Sequence, residues 1–391
     1  MKGRKVAVQL QPTICIVGSG PSGCYLAQFL LKQWPESQIV IVDRLDHPYG
    51  LALYGVAPDH HGTRAVTKQF DRLWLNPNVK FVGNIEVGRD LELAELQANF
   101  DIVVLATGLH QDRKLSIVGG SLPGVVGAGR VTRLINAHPH EPFADFAVGQ
   151  SLVIVGQGNV AIDIVRLSLS DPAKLSEIGV PASVIDALRG KAIQHISVVG
   201  RSSCELAKFD AAMIKELAQL SGVSFSAHNL EEPASHESKS AKVAAVRDLV
   251  ESSPANATVS VDFYFGWQPS EISGDKSVEV IRFTSLTQPN ETLELKADTV
   301  ITAIGFEEND AALIRRAQLV DAQSNIEAGV LSAGLYCVGW FRRGPTGTIP
   351  ANRADAKMVS ESILSDFENS ERLGVKLGLP AVKKLQEELN S

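Results

Sequence analysis

Two glycine-rich runs, each directly behind an apolar strand and at the mouth of a helix, constrain this chain more than any other feature. The first is Gly18-Ser19-Gly20-Pro21-Ser22-Gly23, behind Ile14-Cys15-Ile16-Val17. The second is Gly156-Gln157-Gly158-Asn159-Val160-Ala161, behind Leu152-Val153-Ile154-Val155. In a βαβ unit the first glycine makes a tight turn and the second lets backbone approach a diphosphate. The third lets the helix pack on its strand, and alanine is accepted there. One such run is a weak signal. Two predict an α/β chain with two dinucleotide-binding, Rossmann-like domains that pass electrons between two bound nucleotides.

The second strand of each unit ends on a different kind of residue. Ile39-Val40-Ile41-Val42 ends on Asp43, with Arg44 beside it, and a carboxylate at that place accepts bonds from a ribose diol. Ile196-Ser197-Val198-Val199-Gly200 ends on Arg201, with Ser202 and Ser203 next. A cation there suits a 2'-phosphate better than a bare ribose. Solvated strand ends are the plainer alternative for both residues. Helices are expected over 21–32, 159–169, 208–220 and 352–366, with a short one over 239–250. Buried strands are expected over 101–108 and 299–306, and the piece from Leu335 to Trp340 is expected to return to complete the first domain. Residues 259–265 and 278–284 read as antiparallel strands, and 231–257 as a largely exposed polar excursion.

Composition sets limits. At 391 residues and 45% hydrophobic, the chain is large enough for two cores. A net charge of -7 gives no support to nucleic-acid binding. Cys15, Cys24, Cys204 and Cys337 form no Cys-x-x-Cys pair and no metal spacing, which argues against a disulfide reductase or a disulfide framework. The basic opening Met1–Lys5 is followed by Gln9, Gln11 and Pro12, so neither a signal peptide nor a membrane span is expected. A cytoplasmic enzyme is the expectation; oligomeric state is left open.

Several longer stretches carry a resemblance. They are His47-Pro48-Tyr49-Gly50-Leu51, Tyr54-Gly55-Val56-Ala57-Pro58-Asp59-His60, Ala106-Thr107-Gly108, and Gly339-Trp340 through Gly344-Pro345-Thr346-Gly347-Thr348-Ile349. With the two glycine runs, the sequence resembles the adrenodoxin-reductase branch of ferredoxin–NADP reductases, which have the two-dinucleotide fold of glutathione reductase. That resemblance implies FAD in a first domain formed by 1–110 and returning over 331–391. It implies NADP(H) in an inserted domain over 150–330, with 111–149 as the connection. The implied FAD contacts are Gly18, Gly20, Pro21, Ser22, Gly23, Asp43, Arg44, Tyr49, Gly50, Leu51, Val56, Thr107, Gly108, Gly339, Trp340, Gly347, Thr348 and Ile349. The implied NADP(H) contacts are Gly156, Gln157, Gly158, Asn159, Val160, Arg201 and Ser202.

The resemblance also implies His60 near the flavin, bonded to an acidic residue matching Asp163, as a proton-handling pair. It implies transfer of hydride from NADPH to FAD and then of single electrons to a small ferredoxin-like iron–sulfur protein. Arg64, Lys68, Arg72, Arg342 and Arg343 are the basic residues available for a docking rim, or else solvated charges. Three departures stand out: Asp43 replaces the family's usual Glu, Arg201 lacks the usual second arginine, and the chain lacks an arginine-rich docking helix. A flavin monooxygenase or oxidase, or a non-enzymatic flavin-binding sensor or structural protein, would share both fingerprints. A plain dehydrogenase would leave residues 47–60 and 339–349 without a purpose.

Overall fold

The computed structural model describes residues 11–143, 146–189, 191–230, 240–309, 311–368, 376–378 and 380. The chain forms two compact units. The first contains the described residues up to 56, 60–111 and those from 307 onward; the second contains 57–59 and 112–306.

In the first unit a six-stranded sheet runs in the order Val330–Ser332, Leu335–Cys337, Ile102–Leu105, Ile14–Val17, Ile39–Val42, Val79–Val82. Every pairing is parallel except that of the first two strands. Ile14 lies opposite both Ile39 and Ile102, and Val17 opposite both Val42 and Leu105. Parallel sheets are covered on both faces, which is why these strands are unbroken apolar runs. Ile14 and Ile16 point to one layer with Leu26 and Leu30 of the helix Pro21–Gln33 and Val359 and Ile363 of the helix Ile349–Glu368. Cys15 and Val17 point to the other, with Leu96, Phe100 and Leu331. Cys15 and Cys24 are therefore packing residues, and burial raises both thiol pKa values well above the ordinary range.

The second unit repeats the plan. Its parallel sheet runs Val125–Gly127, Thr299–Thr302, Ser151–Val155, His195–Gly200, Val259–Phe265, Val223–His228. One layer joins Ile154, Ile196 and Phe263 to Ile162 and Val165 of the helix Asn159–Leu169 and to Ile214 and Leu217 of the helix Ala211–Leu217. On the other side, Val153, Val155 and Val199 pack on Ile272, Ile281 and Phe283. Those three belong to an antiparallel sheet of Trp267–Ser273, Val280–Ser285 and Thr292–Lys296.

Some expectations need correction. Val259–Phe265 is a parallel strand inside the main sheet, paired with His195–Gly200 and Val223–His228. Only Val261, Phe263 and Phe265 are buried, so one polar face gave it the alternation of an antiparallel strand. The described part of 111–149 is no mere connection: Val125–Gly127 is a sheet strand, and Val131, Leu134 and Ile135 enter the core. The return to the first unit begins at 307 and not at 331. The return helix starts at Ile349 and not near Asn352, with Pro350 in its first turn where proline is tolerated. Residues 231–239 of the expected excursion lie outside the described residues, and the helix after them is Ala241–Glu251. Among the described residues, no helix is long and apolar enough to cross a membrane.

Candidate functional site

At the first glycine turn each glycine has its own physical reason. Gly18 has φ +107°, and a Cβ there would lie 2.4 Å from the Ala106 carbonyl oxygen. A Cβ on Gly23 would lie 2.2 Å from the Gly18 oxygen, so only glycine lets the helix close on its strand. A Cβ on Gly20 would meet nothing within 4 Å. That open space lies at the N-cap of the helix Pro21–Gln33, where no side chain caps the helix. The first-turn N–H groups of a helix have no intrahelical partners, and a diphosphate in this space would satisfy them.

Asp43 is already engaged. Its Oδ2 accepts from the Ser19 amide at 2.8 Å and from Ser19 Oγ at 2.6 Å, while Oδ1 accepts from the Leu45 amide at 3.0 Å. The carboxylate thus arrives at the turn fixed in one orientation. It lines a cavity of about 210 Å³ with Val17, Gly18, Arg44, Thr107, Gly108 and His110, closed by residues from the 307–314 stretch. Arg44 Nη1 stands 3.2 Å from His110 Nε2. Thr107 is exposed, and Gly108 has φ +64° with open space around it.

Two further segments close on this turn. A Cβ on Gly50 would lie 3.2 Å from Gly20 Cα, and the Tyr49 amide donates to the Ser19 carbonyl at 3.0 Å. The Tyr49 hydroxyl donates to Asp71 and accepts from Trp74 Nε1. Burial first, then the Asp71 bond, pushes its pKa up to about 12. Leu51 opens a short helix, Leu51–Tyr54, and both Leu51 and Val56 are half-buried. From the return segment, Gly339 has φ +72° and a Cβ there would lie 2.1 Å from Ser22 Oγ.

Behind Gly339 stands a buried carboxylate, Asp355, 2% exposed at its side chain. It accepts from the Gly339 amide at 2.5 Å and from Arg342 Nε at 2.9 Å, and Arg343 Nε lies 3.2 Å away. Arg342 also donates to the carbonyls of Ile326 and Glu327, and Arg343 to Thr346 O and Asn352 Oδ1. Both arginines, expected on a docking rim, are internal braces for residues 339–352. Arg64 likewise donates to the Leu53 carbonyl, and burial lowers its pKa. Of the five expected rim cations, Lys68 and Arg72 are exposed. Trp340 is half-buried, Gly347 and Thr348 are exposed, and Ile349 is the first residue of the return helix.

The second turn has the same backbone and different side chains. Gly156 has φ +120°, with a Cβ placed 2.2 Å from the Ala303 carbonyl oxygen. Gly158 caps the helix Asn159–Leu169 without a side-chain bond. The Gln157 side chain turns into the sheet, donating to Tyr264 O at 3.0 Å and Val198 O at 3.3 Å. It therefore offers a nucleotide only its backbone. Asn159 and Asp210 exchange bonds of 2.7 and 2.8 Å. Val160 packs against the core. Arg201 is exposed, and among the described residues nothing bonds or pairs with its guanidinium. Ser202 is half-buried, and its carbonyl accepts from the Gly266 amide at 3.2 Å.

Asp163 is held by Arg166, Nη2 to Oδ1 at 2.7 Å. The same guanidinium pairs with Asp59 through two nitrogens and with Glu216 at 3.3 Å. Burial works to lower the Arg166 pKa, but the bonds to Asp59 and Asp163 outweigh it and hold the value above the ordinary range. Three carboxylates thus surround one buried cation. His60 precedes the short helix His61–Arg64 in the first unit, whereas Asp163 belongs to the second. Sequence reasoning points to Asp163 and misses Arg166, Asp59 and Glu216. The signal available is the Asp163/Arg166 spacing of three on one helix face.

The pyridine nucleotide-disulphide oxidoreductase family matches residues 12–328. The chain is 43% identical over 374 residues to cindoxin reductase of Citrobacter braakii, spanning 95% of this chain and 81% of that protein. It is 31% identical over 384 residues to the NADPH-ferredoxin reductase FprA of Mycobacterium tuberculosis, spanning 91% and 84%. A solved structure of M. tuberculosis FprA in complex with NADPH matches with a TM-score of 0.86 at 29% identity, over 97% of this chain and 90% of that one. Lactococcus lactis thioredoxin reductase, at 14% identity and a TM-score of 0.54, shares the fold.

Proposed function

The chain belongs to the pyridine nucleotide-disulphide oxidoreductase family, and from that premise we propose that it is an FAD-dependent, ferredoxin–NADP reductase-type enzyme. It takes reducing equivalents from NADPH and delivers single electrons to a small ferredoxin-like iron–sulfur protein. The observation that carries this reading is the pair of uncapped glycine turns, each with a charge of opposite sign at the next strand end, Asp43 in the first unit and Arg201 in the second. FAD, when bound, supplies the conversion of a two-electron donor into one-electron steps.

The residues fit that cofactor. Gly20 leaves the space a diphosphate needs, the Pro21–Gln33 helix offers its N-terminus, and Asp43 presents a fixed acceptor to a ribose. Asp355, through Gly339, Arg342 and Arg343, holds the segment that would face the ring system. In the second unit Gly156 and Gly158 shape the turn, and Arg201 offers charge to a 2'-phosphate. His60 in the first unit and the Arg166-held Asp163 in the second are the proton-handling candidates of this reading. The four cysteines are buried and form no disulfide; burial raises the thiol pKa of Cys15 and Cys24, and that of Cys337 to about 12, which disfavours a thiol redox role.

Reduction of purified ferredoxins and flavodoxins, monitored under nitrogen with NADPH as donor, tests the partner. Turnover with a ferredoxin well above the rate with oxygen supports the reading. Rates no faster than with oxygen for every carrier overturn it and favour an oxidase or monooxygenase.

A further inference from the structure

We propose that Lys208 is a second cationic anchor for the nicotinamide dinucleotide, acting on its diphosphate while Arg201 takes the 2'-phosphate. The inference deepens the proposed function and rests on it.

After the strand His195–Gly200 the chain leaves through Arg201 and turns back across the second glycine run. The Lys208 amide donates to the Gln157 carbonyl at 2.9 Å, and Lys208 bridges to Gly158 in a short parallel contact. A Cβ on Gly158 would meet one atom within 4 Å, the Lys208 Cβ at 3.8 Å. The lysine stem therefore rises beside the middle glycine, the position where backbone approaches a diphosphate.

The returning loop is pinned on both sides. Lys242 Nζ donates to Ala207 O at 2.6 Å and to Glu205 O at 3.4 Å, and the reciprocal Asn159–Asp210 bonds hold the far end. Asp210, the adjacent carboxylate, is thereby committed to Asn159. The Lys208 side chain is exposed, and among the described residues its ammonium has no hydrogen bond or ion pair. The helix N-terminus beneath it offers only partial charge. A dinucleotide diphosphate carries two full negative charges, and a flexible ammonium beside the middle glycine can offset one of them. Arg201 is followed by Ser202 and Ser203, and Lys208 is the next cation in the chain and the one that the turn itself brings forward.

The test is calorimetric titration of FAD-loaded full-length protein with NADP+ and with NAD+, using wild type, Lys208→Ala, Lys208→Arg and Arg201→Ala. Lys208→Ala should weaken both dinucleotides about tenfold and leave their ratio unchanged. Lys208→Arg should restore most of the loss, and Arg201→Ala should weaken NADP+ alone. Unchanged affinities in Lys208→Ala overturn the proposal, because the lysine is then merely solvated. A loss confined to NADP+ overturns the diphosphate assignment. Wild type that binds neither dinucleotide removes the proposed function itself, a result distinct from either.

Discussion

The strand ends beside the two glycine turns invite comparison, because the backbones match and the side chains do opposite things. In the first unit Asp43 is bonded on both carboxylate oxygens, to Ser19 and Leu45. In the second, Arg201 stands exposed with no partner among the described residues. A recognition group already held in place loses little freedom when its ligand arrives, which favours tight, lasting binding. A free, solvated arginine must be ordered by its ligand and releases it more readily. On the proposed assignment, the first turn would suit a resident cofactor and the second one that comes and goes.

The leading glycines separate the two turns most sharply. Gly18→Ala forces a side chain into φ +107° and against the Ala106 carbonyl. It should abolish FAD retention, a loss on the order of a hundredfold or more in affinity. Gly156→Ala meets the Ala303 carbonyl in the same way and should abolish NADP+ binding while FAD stays bound. Flavin content after gel filtration and NADP+ calorimetry check both. If each variant lost both nucleotides, the two turns would not be separate sites.

Arg201→Ala probes the exchangeable side. One charge-assisted contact is worth roughly 1.5–3 kcal/mol, so KM for NADPH should rise about ten- to a hundredfold, with the lone arginine at the low end. KM for NADH should barely move. Ser19→Ala probes the resident side more gently. It removes the Oγ bond to Asp43 and keeps the amide bond, so the FAD dissociation constant should rise only about five- to tenfold. Fluorescence titration of the apoprotein measures it.

The smallest effect concerns Tyr49. Its pKa is raised from 10.0 to about 12, so between those values the folded chain holds a proton that the unfolded chain has lost. This contribution is fully present below pH 10 and is lost as pH rises through 12. Stability measured by denaturant across that window should fall with pH, and Tyr49→Phe should flatten the slope.

Much of the fold is legible from sequence because it rests on local pattern. The strands Ile14–Val17 and Ile39–Val42 and the helix Asn159–Leu169 fall where the apolar runs and glycines place them. The rest depends on long-range partners. Arg342 and Arg343 look like surface charges until Asp355, on the next helix, is found between them. Gln157 looks like a turn residue facing a ligand, yet Gly200 and Tyr264 leave a slot that its amide fills. Asp163 stands out by its helix position, and nothing local reveals that Arg166 also gathers Asp59 and Glu216.

The proposed function has one chain that would hold FAD in its first unit and admit NADPH to its second for electron transfer. Anaerobic titration of the purified protein, read through the visible flavin band, decides the matter. Gel-filtered protein should be yellow and should be bleached by about one equivalent of NADPH, while NADH should require a large excess. Folded protein without FAD, or a flavin band that NADPH leaves unchanged, would rule the mechanism out.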